Sequence, residues 1–143
     1  MRVYLAAAMT NPGRDLAGVR GVLDCLESDG HVVPTRHVAD PQGRAVDGAL
    51  SDSQVARRDL DWVTRCDAMV AEVSTPSHGV GVEVAAALAC AKPVLLVYRR
   101  GTPVSRLLLG LGGVETLAYT DVPEVRDGIR SFLTRVGGAP AAR

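Results

Sequence analysis

Four short apolar runs constrain this chain most: residues 3–8 (VYLAAA), 68–73 (AMVAEV), 93–98 (PVLLVY) and 114–119 (VETLAY). The first two read as strands buried in a parallel sheet and the other two as further strands, and amphipathic stretches of helical length lie between them. Residues 14–29 place Leu16, Val19, Val22, Leu23 and Leu26 on one helical face before the stop signal Gly30. Residues 51–66 read as a helix capped by Ser51 or Ser53, 80–91 as a helix apolar nearly all round and hence buried, and 122–136 as a last helix. A short helix carrying Leu107 to Leu109 follows Thr102-Pro103. His31-Val32-Val33, closed by Pro34, reads as a further short strand, and the polar, aperiodic segment 35–50 as a loop. Alternation of this kind predicts a single-domain α/β fold: a five-stranded parallel sheet with helices on both faces, in a flavodoxin- or Rossmann-like order.

Such sheets bind ligands beyond the carboxyl ends of their strands, so the site loops are expected at 7–13, 35–50, 74–79 and 99–105. The 143 residues carry 16 basic and 16 acidic side chains with no Lys/Arg block, which disfavours a nucleic-acid polymer as partner and suits a small molecule. Cys25, Cys66 and Cys90 form no CxxC pair and read as buried free thiols of a reducing compartment. No signal peptide or membrane-length apolar run is visible, so a cytoplasmic chain is expected.

Within the site loops three polar residues stand out. Glu83 follows Gly79-Val80-Gly81 in what reads as the first turn of an apolar helix. It is either an ordinary first-turn carboxylate, favoured in its ionised form by the helix dipole, or a functional group. Asp59 shares a helical stripe with Val55, Trp62 and Cys66, whereas Asp61 points elsewhere. Asp59 is therefore either paired, with Arg58 or Arg36 as candidates, or functional. Tyr4 is the polar member of the first strand and could be core packing with a satisfied hydroxyl. Ser77 could cap the Glu83 helix or, with the free amides there, bind an anion. Thr102 and Ser105 have the same two readings.

The first strand runs into Ala6-Ala7-Ala8-Met9 rather than GxGxxG, and there is no Walker A loop, GxSxG elbow or Cys/His metal cluster. No metal or cofactor is expected. Two carboxylates and a tyrosine at the ligand edge remain, and paired carboxylates are the equipment of glycosidic-bond cleavage.

Asp59-Leu60-Asp61-Trp62, followed by Pro76-Ser77-His78-Gly79-Val80-Gly81-Val82-Glu83, resembles the 2′-deoxynucleoside 5′-phosphate N-hydrolases of the nucleoside 2-deoxyribosyltransferase superfamily. Tyr4 and His37-Val38-Ala39 also match, and the likeness fades after about Tyr98. The resemblance implies a catalytic domain over 1–136, and the remaining 137–143 read as a flexible tail. It implies that Glu83 attacks the anomeric carbon, that Tyr4 aims it, and that Asp59 protonates the base and then activates water. Ser77 would hold the 5′-phosphate, His37 would lie near the substrate, and Ala8, Met9 and Gly79 would be further contacts. The family is typically a homodimer in which the partner lends a serine, here Ser105. A base-exchanging deoxyribosyltransferase is the alternative, and a non-catalytic nucleotide-binding protein a further one. Relatives usually carry a Gly-Ser-Ile-Arg-Gly type loop after the first strand. Ala7-Ala8-Met9-Thr10-Asn11 lacks its serine and arginine, so a weaker preference for the phosphate is expected.

Overall fold

A computed structural model describes residues 1–138 of the chain. The apolar runs form strands β1 (Val3–Ala7), β2 (Ala68–Glu72), β3 (Val94–Arg99) and β4 (Val114–Tyr119), parallel throughout and in the spatial order β1-β2-β3-β4. The register pairs Tyr4 with Met69, Met69 with Val94, and Val94 with Val114. The helices are α1 (Leu16–Ser28), α2 (Arg44–Asp47), α3 (Asp52–Arg65), α4 (His78–Ala89), α5 (Arg106–Leu109) and α6 (Val122–Gly138).

One expected strand is missing. Residues 31–33 contribute a single parallel bridge, Val32 to Arg2, so the sheet has four strands and not five. Val32 lies beyond β1, so the adjacency of the flavodoxin-like order survives. Pro34 has no N–H with which to continue a ladder. Thr35 takes over instead: its hydroxyl accepts from the Leu5 N–H (3.0 Å) and donates to the Leu5 carbonyl (2.8 Å). A buried side chain thus satisfies backbone groups that a fifth strand would have paired.

The core forms two layers. Leu5, Val22, Leu26, Val70, Val97, Ile129 and Phe132 fill the space under α1 and α6. Tyr4, Ala6, Val63, Met69, Ala71, Val84 and Leu96 fill the space under α3 and α4.

The structure corrects four further expectations. Residues 35–50 are not a plain loop, but contain a 3-10 turn (Arg36–Ala39) and α2. Neither is long enough to write a helical period. Helix α4 is not buried all round: Val80, Val84 and Ala87 face inward, while Val82 is 61% exposed. Val82 continues into an apolar groove of about 670 Å³ lined by Val73, Pro76, Val80, Leu107 and Leu111. Cys90 is exposed, because α4 ends at Ala89 and Cys90 is its C-cap; Cys25 and Cys66 are buried free thiols. Finally, α6 runs through Gly138, so Gly137 and Gly138 are helical. The rest of the expected tail lies outside the described residues.

Candidate active site

Helix α4 starts at His78, two residues earlier than its apolar pattern suggested. Ser77 is extended (φ −151°, ψ 126°) and its Oγ accepts from the Val80 N–H at 3.4 Å, as an N-cap. Glu83 therefore stands in the second turn, away from the free amides, and the expected dipole stabilisation of its anion does not govern it. Burial does. Loss of water contact, with a smaller push from the Asp59 charge, raises the Glu83 carboxyl from the ordinary 4.5 to about 7; the hydrogen bond from Tyr4 opposes the rise.

That hydrogen bond is the site's shortest-range fact. Tyr4 Oη donates to Glu83 Oε1 at 2.6 Å, across 79 residues of sequence. The β1 register puts Tyr4 on the α4 side of the sheet, almost fully buried. Burial first, then the neighbouring Glu83 charge, drives its phenol far above the ordinary range, so it serves as a proton-bearing donor.

Glu83 opens into a cleft of about 590 Å³. Asp59, Val55 and Leu60 of α3 form one wall, Arg44, Asp47 and Leu50 another, and Met9, Thr10 and Gly79 close the third side. Glu83, Asp59, Met9 and Gly79 are thus gathered as expected. Asp59 is paired as well as placed in the cleft. Arg58 Nε donates to its Oδ1 at 2.9 Å, and Arg36 instead pairs with Glu27. Asp61 faces the surface in an ion pair with Arg65.

The remaining expected residues lie apart. Ser77 borders a smaller groove with Thr10, Asn11 and Gly79, which joins the cleft at Thr10 and Gly79. Ala8 is buried, and its carbonyl accepts from Arg14 Nη1 at 3.2 Å. His37 is not among the residues lining the cleft; its ring stands 6.1 Å from that of Trp62, and it borders a separate groove with Arg36 and Asp40. Burial, then the Arg58 charge, lowers its pKa and favours the neutral imidazole. Ser105 lines the apolar groove on the far side of α4.

Three features escaped sequence reasoning. Among the described residues Arg44 is the one cation lining a cleft that also holds Asp47, Asp52, Asp59 and Glu83. It comes from α2, a helix too short to signal itself. Arg14 donates to the carbonyls of Ala8, Val38 and Asp40, at 3.2, 2.9 and 2.6 Å, and so is already committed. Glu72, 1% exposed, accepts from Ser74 Oγ and from Tyr119 Oη (3.2 Å), and burial raises its pKa. Ser74 also accepts the Arg99 N–H (2.8 Å), and Arg99 pairs with Asp15 at the start of α1 (2.7 Å). This network lies on the α1 side of the sheet and anchors the loop that leads to Ser77. A carboxylate in the otherwise apolar run 68–73 was its only sequence signal.

Among the described residues no group of three or more His, Cys, Asp or Glu side chains is arranged to hold a metal ion, and no helix is long and apolar enough to cross a membrane. Residues 3–126 match the family model described as nucleoside 2-deoxyribosyltransferase. The chain belongs to that family. A relative from Thermofilum pendens, named "Putative 2'-deoxynucleoside 5'-phosphate N-hydrolase 1", is 39% identical over 137 residues, covering 93% of this chain and 95% of the relative. The 5-hydroxymethyl-dUMP N-hydrolase of Mus musculus is 35% identical over 112 residues, covering 76% of this chain and 64% of its own. The fold is similar to that of a CMP N-glycosidase from Clostridium botulinum (TM-score 0.65, 21% identity, 91% of this chain and 99% of that one). The chain is accordingly an enzyme that acts on the N-glycosidic bond, a nucleotide glycosidase or transferase.

Proposed function

We propose that this enzyme hydrolyses the N-glycosidic bond of (deoxy)nucleoside 5′-monophosphates, giving free base and sugar 5-phosphate through a covalent intermediate on Glu83. The observation that carries this reading is the 2.6 Å Tyr4–Glu83 hydrogen bond in a cleft shared with Asp59. One Glu83 oxygen is held by Tyr4, which leaves the other to attack the anomeric carbon. The C–N electron pair leaves with the base, which takes a proton from Asp59. Asp59 then removes a proton from water; the water oxygen bonds to the anomeric carbon and frees Glu83. Two displacements retain the anomeric configuration.

The base fits the wall of Met9, Leu50 and Val55 beside Asp59. The 5′-phosphate fits the groove of Ser77, Thr10 and the first α4 amides, where hydroxyls and a helix N-terminus supply donors. Arg99 and Arg100 are committed to Asp15 and Glu124, and Arg14 to carbonyls, so they add little charge there. The uncovered apolar groove along Val82 and Leu107 supports a homodimer, and Ser105, which lines the same groove, is the candidate for the serine lent across it. The relatives named N-hydrolases favour water as acceptor; the family description leaves base exchange as the second reading.

The test is a panel of deoxynucleoside and ribonucleoside 5′-monophosphates, with released base read by chromatography and a different free base added in a parallel arm. Release without exchange is expected. Exchange faster than release would make the enzyme a transferase, and no release from any substrate would defeat the reading.

A further inference from the structure

Arg58 precedes Asp59 on α3, and adjacent helical side chains do not ordinarily face each other. Here the Arg58 side chain folds back along its own helix. Nε donates to Asp59 Oδ1 at 2.9 Å, and Nη2 stands 2.8 Å from the same oxygen. Nη1 stands 2.8 Å from Asp47 Oδ1 on α2. The guanidinium lies over the Trp62 ring, 4.8 Å from its centroid, one turn further along α3. Only 18% of the side chain is exposed. A surface arginine beside an aspartate would wander among rotamers; this one is held by two carboxylates and an indole face.

Two consequences follow for Asp59. Both Arg58 contacts to Asp59 fall on Oδ1, and among the described residues none hydrogen-bonds to Oδ2. The carboxylate is also prevented from swinging about its Cα–Cβ bond. At its other end, the same guanidinium ties the cleft wall that carries Arg44 and Leu50 to the helix that carries Asp59.

We infer that Arg58 is a positioning residue for Asp59: it occupies Oδ1 and turns Oδ2 to the proton exchanged first with the departing base and then with water. The inference rests on the hydrolytic reading above. Arg58 exchanges no proton itself. When Asp59 gives up its proton, the new negative charge forms against a guanidinium already in place, which requires no reorganisation.

The test uses single-turnover base release, which reads the first displacement alone, on two substrates: deoxyguanosine 5′-monophosphate and its 7-methyl analogue. The methylated base carries a positive charge and departs neutral without being protonated. In Arg58→Met, which keeps side-chain bulk over Trp62 and loses the donors, release from the ordinary nucleotide is expected to fall about tenfold to a hundredfold. Release from the 7-methyl nucleotide should stay within about threefold of wild type, with KM little changed for both. Arg58→Lys should recover part of the loss. Asp47→Asn, which loosens the anchor and leaves Arg58 in place, should show the same substrate pattern at smaller size, and it stands in if Arg58→Met does not fold. Equal losses on both substrates, or a loss confined to KM, would reduce Arg58 to a packing residue and overturn the inference. Wild-type rates in Arg58→Met would also overturn it. A wild type silent across the nucleotide panel would defeat the hydrolytic reading instead.

Discussion

Replacing Glu83 by glutamine should stabilise the protein while removing its chemistry, and the gain should depend on pH. The native chain holds the Glu83 proton up to about pH 7, whereas the unfolded chain releases it near 4.5. Between those values the native state binds more protons, so raising the pH weakens the fold across that window. Above pH 7 the full cost of the buried anion is present. The gap from 4.5 to about 7, at about 1.4 kcal/mol per tenfold change in proton affinity, makes this cost up to about 3 kcal/mol. Glutamine is neutral and isosteric, and its carbonyl can still accept from Tyr4. For a chain of this size each kcal/mol moves Tm by about 2–4 °C, so the variant should melt about 6–12 °C higher than wild type at pH 8. At pH 5 wild-type Glu83 is mostly protonated and the difference should shrink to about 1 kcal/mol or less. Thermal denaturation of both proteins at the two pH values reads this directly, and base release should fall by orders of magnitude. An equal Tm shift at pH 5 and pH 8, or a variant less stable at pH 8, would refute the assignment of a costly buried carboxylate.

In wild type, kcat/KM should rise with pH through about 7, because the nucleophile must be ionised; Tyr4→Phe removes a hydrogen bond that favours the anion and should move that limb to higher pH in a pH–rate profile. Asp59→Asn should slow base release by about a hundredfold or more, whereas Asp61→Asn, which breaks only a surface ion pair, should leave kcat/KM within about twofold. Ser77→Ala should cost about 1 kcal/mol of stability as a lost cap, and should lower kcat/KM for a nucleotide more than for its nucleoside; equal loss on both would mean a cap alone. Leu107→Asp, at a side chain 76% exposed on the apolar groove, should convert a dimer to a monomer by light scattering, and a wild-type monomer at working concentration would remove the cross-subunit role of Ser105.

What the sequence disclosed and what it hid divide along contact range. Strands β1, β2 and β3 were legible because strands buried on both faces carry apolar residues almost throughout, with Glu72 and Arg99 only at the carboxyl ends. Helix α3 was legible because Val55, Asp59 and Trp62 share a stripe, and that stripe gave the correct face for Asp59. The cap at Ser77 was legible, but the apolar pattern begins only at Val80, whereas the helix starts two residues earlier, at His78. That offset put Glu83 in the wrong turn and so gave the wrong sign for its electrostatics. The strand expected at 31–33 is only a bridge, since His31-Val32-Val33 between Gly30 and Pro34 looks the same whether it pairs along a strand or at one residue. The Asp47–Arg58 contact left no pattern at all: it joins a four-residue helix to a long one, and neither spacing announces the other.

The Arg14 guanidinium, hydrogen-bonded at once to Ala8, Val38 and Asp40, makes two neighbouring loops a single inherited unit. One loop leads to Met9 and Thr10; the other leads into the segment bearing Arg44 and Leu50. An insertion in either would drag its carbonyl off the shared cation and leave the other's contact to be rebuilt. Drift in substrate preference should therefore come through side-chain exchange within a fixed loop length, not through loop grafting. Anyone redesigning the cleft for a different base would have to transplant both loops with the arginine, or neither.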